Sequence, residues 1–207
     1  MVKKLLISLA IAGPQAIFAM ALPGGLQSHD VLPDGYRVVP LHWTGIIEEG
    51  GDNLTFQGTI QEIEAEIQKS KPEFSWKTAF KDRIDSRDPS GLDIRNKNSE
   101  FFCTVGGDGK ATTLAIGVNS MSLIYAGGIC GVGPGPRVCA RISCEYDGAI
   151  WLCNDNTWPI APQCGYLATY ADDIVNTCGM GESFGEVQGQ EFDTDNYNVA
   201  VGHAQCR

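Results

Sequence analysis

The chain reads as α+β: a disulfide-stabilised two-layer sandwich in which an antiparallel sheet carries two helices on one face, preceded by a small β-hairpin and helix. Three observations predict this. Residues 137–155 alternate apolar and polar positions around a turn, the period of a half-buried hairpin. Residues 110–126 and 165–177 carry apolar stripes at helical spacing, and the cysteine-bearing half then runs helix, two strands, helix, two strands, an order that buries one sheet face under two helices. All eight cysteines fall between Cys103 and Cys206.

The amino terminus sets the compartment. Lys3 and Lys4 precede an apolar run over 5–18, and Ala19-Met20-Ala21 supplies a small-x-small cleavage signal. This pattern predicts a secretory signal peptide at 1–21 and a secreted, extracellular protein. The run is too short, and too interrupted by Gly13 and Pro14, for a membrane anchor. With 15 basic against 25 acidic residues the net charge is −10, and loss of the two signal lysines makes it two units more negative. That acidity argues against nucleic acid or anionic lipid as partner. An even number of cysteines in an exported chain predicts four disulfides among Cys103, Cys130, Cys139, Cys144, Cys153, Cys164, Cys178 and Cys206. Paired CxxC or CxxH spacings of a zinc site are absent from the sequence.

Residues 22–35 are rich in Pro, Gly and polar side chains and read as a mobile leader. An N-terminal region over 36–100 follows, then a cysteine-rich domain over 101–207. Two short strands over 41–48 and 54–58 flank a turn, beside which Asn53-Leu54-Thr55 is a glycosylation sequon. Thr59 and Glu62 form a capping box, and Ile60, Ile63 and Ile67 recur at helical spacing until Pro72. Residues 71–100 mix charges with scattered aromatics and read as a connector; Lys81, Arg83 and Arg87 are candidate sites for processing of a pro-segment.

In the cysteine half, the first helix is expected to bury Leu114, Val118, Met121 and Tyr125, with Gly127-Gly128 as its stop. Residues 130–136, CGVGPGP, read as a loop. In the hairpin, Asp147-Gly148 suits a type I′ turn. That turn would set Tyr146 against Ala149, Cys144 against Trp151 and Ile142 against Cys153, so that Cys144, Trp151 and Cys153 share the buried face and Cys139 points away. Ile150 and Leu152 would then lie outward, under the 36–67 region or a partner. In the second helix Leu167, Ala171, Ile174 and Cys178 share a stripe, which sends Cys178 toward Cys144 or Cys153. Cys139 then needs a partner in a loop or terminus, and Cys130 and Cys164 are placed to pair. Two strands over 184–192 and 196–202 close the chain around the turn Asp193-Thr194-Asp195.

The segments RVCARISCEYDGAIWLCND, EVQGQEFDTDNYNVAVGHAQC and HWTGIIEEGGDNLTFQGTIQEIEAEI, with the helix ending in Cys178, resemble a family of small secreted cysteine-rich proteins of filamentous fungi regarded as candidate effectors. In element order the cysteine half is similar to killer-toxin-like and necrosis-inducing effector domains. The resemblance implies a compact disulfide-held α/β sandwich and a role in virulence. Killer toxins of that kind act on target-cell ion transport through exposed basic residues, whereas from Cys103 onward this chain holds only Lys110, Arg137, Arg141 and Arg207 against eleven acids, a departure from that pattern.

Catalytic patterns are sparse. His29, His42 and His203 sit in unrelated contexts, and the sequence holds no HExxH or GxSxG. Glu145, Asp155, Glu186 and Asp193 are the candidates for a glycosidase-like acid and base pair. Trp158, near Trp151 and Tyr166, is the candidate for stacking on a sugar. No metal or cofactor is assigned. The expected activity is therefore non-enzymatic: effector-like or toxin-like binding of an extracellular or cell-surface protein or glycan. The alternatives are a carbohydrate- or cell-wall-binding module and a small carboxylate-dependent hydrolase.

Overall fold

The structure is a computed structural model, which describes residues 32, 35–83, 96–105, 109–179 and 185–206. The expected signal peptide, most of the leader, His29 and Arg87 lie outside the described residues. In chain order the elements are β1 (Arg37–Val39), β2 (His42–Gly45), β3 (Leu54–Gln57), α1 (Ile60–Gln68), α2 (Trp76–Ala79), a 3-10 turn (Lys81–Arg83) and β4 (Lys97–Phe102). They continue with β5 (Ala111–Thr112), α3 (Thr113–Ala126), β6 (Ile129–Gly131), β7 (Val138–Glu145), β8 (Gly148–Asn154), α4 (Cys164–Cys178), β9 (Glu186–Val187), β10 (Gly189–Asp193) and β11 (Tyr197–His203).

The α+β expectation holds. A six-stranded sheet runs β1-β7-β8-β11-β10-β4, antiparallel throughout except for β1, which pairs in parallel with β7. A three-stranded sheet, β3-β2-β6, and a ribbon, β5-β9, complete the strands. Helix α3 lies over β7 and β8, and α4 over β10, β11 and β4.

Two of these elements correct the sequence reading. Residues 71–100 are not a plain connector, since they form α2, the 3-10 turn and most of edge strand β4, and Phe74, Trp76 and Phe80 are buried. The stretch read as a loop at Cys130 begins with β6, whose partner is β2. Aromatic burial decides the first case, and a vacant sheet edge the second. Helix α1 is as expected: Thr59 and Glu62 form both bonds of the capping box, and Ile60, Ile63 and Ile67 are buried.

The hairpin differs from expectation in register. Its turn residues are Tyr146 and Asp147, both at positive φ (53° and 54°), as a type I′ turn requires. Gly148 instead opens β8, where an added Cβ would stand 2.8 Å from the Ala115 methyl. Cys144 therefore faces Ala149, and a bulge between Arg141 and Ser143 shifts the strands again, setting Cys139 against Cys153. Cys139, Cys144, Trp151 and Cys153 all lie on the outer face, under Leu32, Tyr36, Ala204 and Cys206. Ile150 and Leu152 occupy the helix-covered core instead.

Helix α3 presents the opposite face from the one expected. Ala115, Ile116, Asn119, Ser120, Leu123 and Ile124 are buried, while Leu114 is 76% exposed. The small and polar residues win because they bring α3 close to its neighbours and are satisfied there. The Asn119 amide donates to the carbonyls of Ala115, Glu145 and Gly148 (2.8, 3.0 and 3.0 Å) and accepts from the Ser143 hydroxyl (2.6 Å). Ser120 donates to Asp172 of α4 (2.6 Å). Buried polar groups are tolerated when bonded in this way.

Four disulfides hold the fold: Cys103–Cys178, Cys130–Cys164, Cys139–Cys153 and Cys144–Cys206. The Cys130–Cys164 pairing is as expected. Cys178 does not reach Cys144 or Cys153, because α4 lies over β10 and β4 rather than over the hairpin. Cys139, expected to find a loop or terminal partner, bonds across the hairpin instead, and Cys144 holds the C-terminal tail.

Candidate functional site

A cleft of about 850 Å³ opens at the end of the sheet where β8 stops and the β10–β11 turn begins. One wall is the 158–163 segment ahead of α4. Asn154 fixes that segment from below: its amide donates to the carbonyls of Gly133 (2.9 Å) and Trp158 (2.7 Å), and its oxygen accepts from the Asn156 backbone (2.9 Å). Backbone bonds between Ile160 and Val132 (2.9 and 3.0 Å) and from Cys130 to Pro162 (2.8 Å) tie the segment to β6. The Cys130–Cys164 disulfide closes the same joint. Trp158 is thereby carried on a fixed backbone while its side chain is 61% exposed.

The opposite wall is the turn over 194–196. Asn156 donates to the carbonyls of Asp195 (2.9 Å) and Asn196 (3.0 Å), and Asn96 reaches the Asp195 carboxylate at 3.3 Å. Tyr166 and Tyr197 also line the cleft; among the described residues its lining holds one carboxylate, that of Asp195, and no Lys, Arg or His.

Beside the cleft lies a buried cluster of acids and phenols. Tyr170 donates to Asp193, whose other oxygen accepts from the Asp195 backbone (2.7 Å). The Tyr166 and Tyr170 hydroxyls are 2.8 Å apart. Burial, aided by the Asp193 charge, pushes the Tyr166 phenol up to about 12 and raises those of Tyr170 and Tyr197 further. Lys97, facing Asp193 from β4, forms an ion pair with Asp173 and lies 4.4 Å from the Tyr170 ring centroid. Glu191, 2% exposed, has one carboxylate oxygen without a hydrogen-bond partner among the described residues. Burial pushes its carboxyl up to about 7, against the opposing pull of Lys97.

The carboxylates nominated from the sequence do not converge on a cleft. Asp155 accepts from the Tyr36 hydroxyl (3.0 and 3.1 Å) and from Asn198 (3.0 Å) on the outer face. Asp193 is buried on the helix side, Glu186 is exposed on the β5–β9 ribbon, and Glu145 ends β7. His42 lies in β2 and His203 in β11, and Asn53 is exposed between β2 and β3. Sequence reasoning found Trp158 but missed Asn96, Asn156 and the Glu191–Lys97 cluster, whose members meet only through the pairing of β4 with β10.

Among the described residues no three His, Cys, Asp or Glu side chains group as a metal site requires. No helix there is long and apolar enough to cross a membrane. Comparison of the chain with protein-family models, curated proteins and solved structures finds no match. Four disulfides in a chain of this length fit a small protein of an oxidising, extracellular compartment.

Proposed function

We propose that this is a secreted, non-enzymatic binding protein whose Trp158 cleft engages a neutral, hydroxyl-rich glycan on an extracellular or cell-surface target. The observation that carries the reading is a Trp ring held on a fixed backbone and 61% exposed beside a cleft lined by amide groups. An aromatic face offers a large apolar contact at low entropic cost, and amides supply hydrogen bonds to hydroxyls. Among the described residues the lining offers no Lys, Arg or His, the usual partners of phosphates and other anions. Dispersal of Glu145, Asp155, Glu186 and Asp193 supports binding over hydrolysis, because the acid and base of a glycosidase must flank one bond. An effector-like role for a fungal secreted protein, as the sequence resemblance implies, accords with such a contact.

The test is retention on insoluble chitin, β-glucan and cellulose. Wild-type protein is expected to be retained on one of them and Trp158→Ala released, with the melting temperature unchanged. No retention on any polymer, or equal retention of the variant, removes the glycan reading.

A further inference from the structure

The stripe expected to be core, Leu114, Val118, Met121 and Tyr125, instead forms the floor of a second groove of about 1060 Å³ along α3. It shares no lining residue with the Trp158 cleft. Trp76 of α2 and Val175 of α4 also line it. Leu114 is the most exposed large apolar side chain among the described residues. Midway along the floor, nothing lies within 4 Å of where a Cβ on Gly117 would stand.

Two carboxylates, Glu64 of α1 and Glu145 at the end of β7, border this apolar floor. Burial raises the Glu64 carboxyl above the ordinary range against the opposing effect of the Ser75 side chain and the Trp76 backbone, and the Glu145 charge adds to the rise. Among the described residues no basic side chain forms an ion pair with either. Lys77 also lines the groove and is exposed, so among the described residues the lining carries two carboxylates against one ammonium.

An apolar trough with surplus negative charge selects a ligand with an apolar body and a cationic head. Burial of the body supplies the hydrophobic gain, and an ammonium near Glu64 and Glu145 relieves their mutual repulsion. We infer that the α3 groove is a binding site for a cationic amphiphile, an alkyl chain bearing one ammonium group. This stands independently of the glycan reading, since it uses a different site.

The test is calorimetric titration of the protein with decylammonium, decanoate and decyl maltoside, each below its micellar concentration. Decylammonium is expected to bind at one site, about tenfold or more tighter than decanoate. Glu145→Gln should narrow that preference. Gly117→Leu, whose Cβ would have no heavy atom within 4 Å and whose side chain would project into the groove, should abolish binding with the circular dichroism spectrum unchanged. Equal affinity for the cation and the anion, no binding of decylammonium, or binding that survives Gly117→Leu overturns the inference. So does loss of a dimer in Gly117→Leu without probe binding, which would assign this face to a second copy of the chain.

Discussion

The two halves of the chain hold themselves together by different means. Residues 36–83 contain no cysteine and rely on rings: Trp76 lies 5.1 Å from Trp43, 4.8 Å from Phe74 and 6.3 Å from Phe80, and Trp43 lies 6.1 Å from Phe56. From Cys103 onward, four disulfides join the end of β4 to the end of α4, β6 to the start of α4, β7 to β8, and β7 to the C-terminal tail. The two devices nonetheless serve one core, since Trp43, Ile60 and Trp76 belong to the same buried cluster as Leu123, Ile142 and Leu167. Aromatic burial supplies stability where large side chains meet, whereas the crosslinks join elements that lie far apart in the chain or face each other across the hairpin.

The strongest way to break this comparison is to remove a ring. Trp76 is 2% exposed and its indole donates to the Ile60 carbonyl at 3.1 Å. Trp76→Ala should cost about 3–5 kcal/mol in urea unfolding. Because the core is shared, a single transition should move as a whole; a variant in which only part of the signal moves would show two independent units.

Removing crosslinks comes next. Replacing Cys103 and Cys178 with alanine opens a separation of 75 residues and should cost about 4 kcal/mol, against about 3 for Cys139 and Cys153, whose separation is 14. Denaturation of the two double variants under oxidising conditions tests the order. Equal losses would mean that loop length does not govern the stabilisation.

The sequence carried the elements better than their mutual placement. The Thr59–Glu62 box, the Leu167–Ala171–Ile174 stripe and the alternation of β11 were legible because each is a local pattern. The hairpin register was not, because Asp147-Gly148 is locally the better match to a type I′ turn, and the turn is nonetheless formed by Tyr146 and Asp147 at positive φ. The choice comes from outside the hairpin, where Ala115 leaves no room for a side chain at residue 148. Helix α3 was ambiguous for a related reason: it is apolar on two faces, and Asn119 and Ser120 look solvent-facing until their partners on β7, β8 and α4 are known. At the candidate cleft, Trp158 stood out as an aromatic in a polar loop. Glu191 did not, since Glu191-Phe192-Asp193 reads as one apolar residue between two solvated acids. In the fold the acids face α4, and Phe192 packs on Phe102, their centroids 5.7 Å apart, on the other side.

That inverted strand gives a pH-dependent effect of intermediate size. The folded Glu191 carboxyl titrates near 7 against an ordinary 4.5, so between these values the folded state holds a proton that the unfolded chain releases. Its stabilising contribution is complete below about 4.5 and lost as pH rises through 7, a swing of at most about 3 kcal/mol. Glu191→Gln should therefore gain stability relative to wild type as pH rises from 5 to 8, seen as diverging melting temperatures. Parallel curves would mean that Lys97 holds the carboxylate ionised throughout.

The smallest stability effect belongs to Trp158, and that smallness is informative. A buried Trp in the ring-held half costs several kcal/mol to truncate, whereas Trp158→Ala at a ring 61% exposed should change unfolding free energy by no more than about 0.5 kcal/mol. The Trp158 backbone carbonyl, which takes the bond from Asn154, is kept by the variant, so the loop stays anchored. Loss of polymer retention at constant stability separates a contact residue from a structural one. A melting temperature that falls together with retention would return Trp158 to the role its loop position first allows, an anchor for the 158–163 segment.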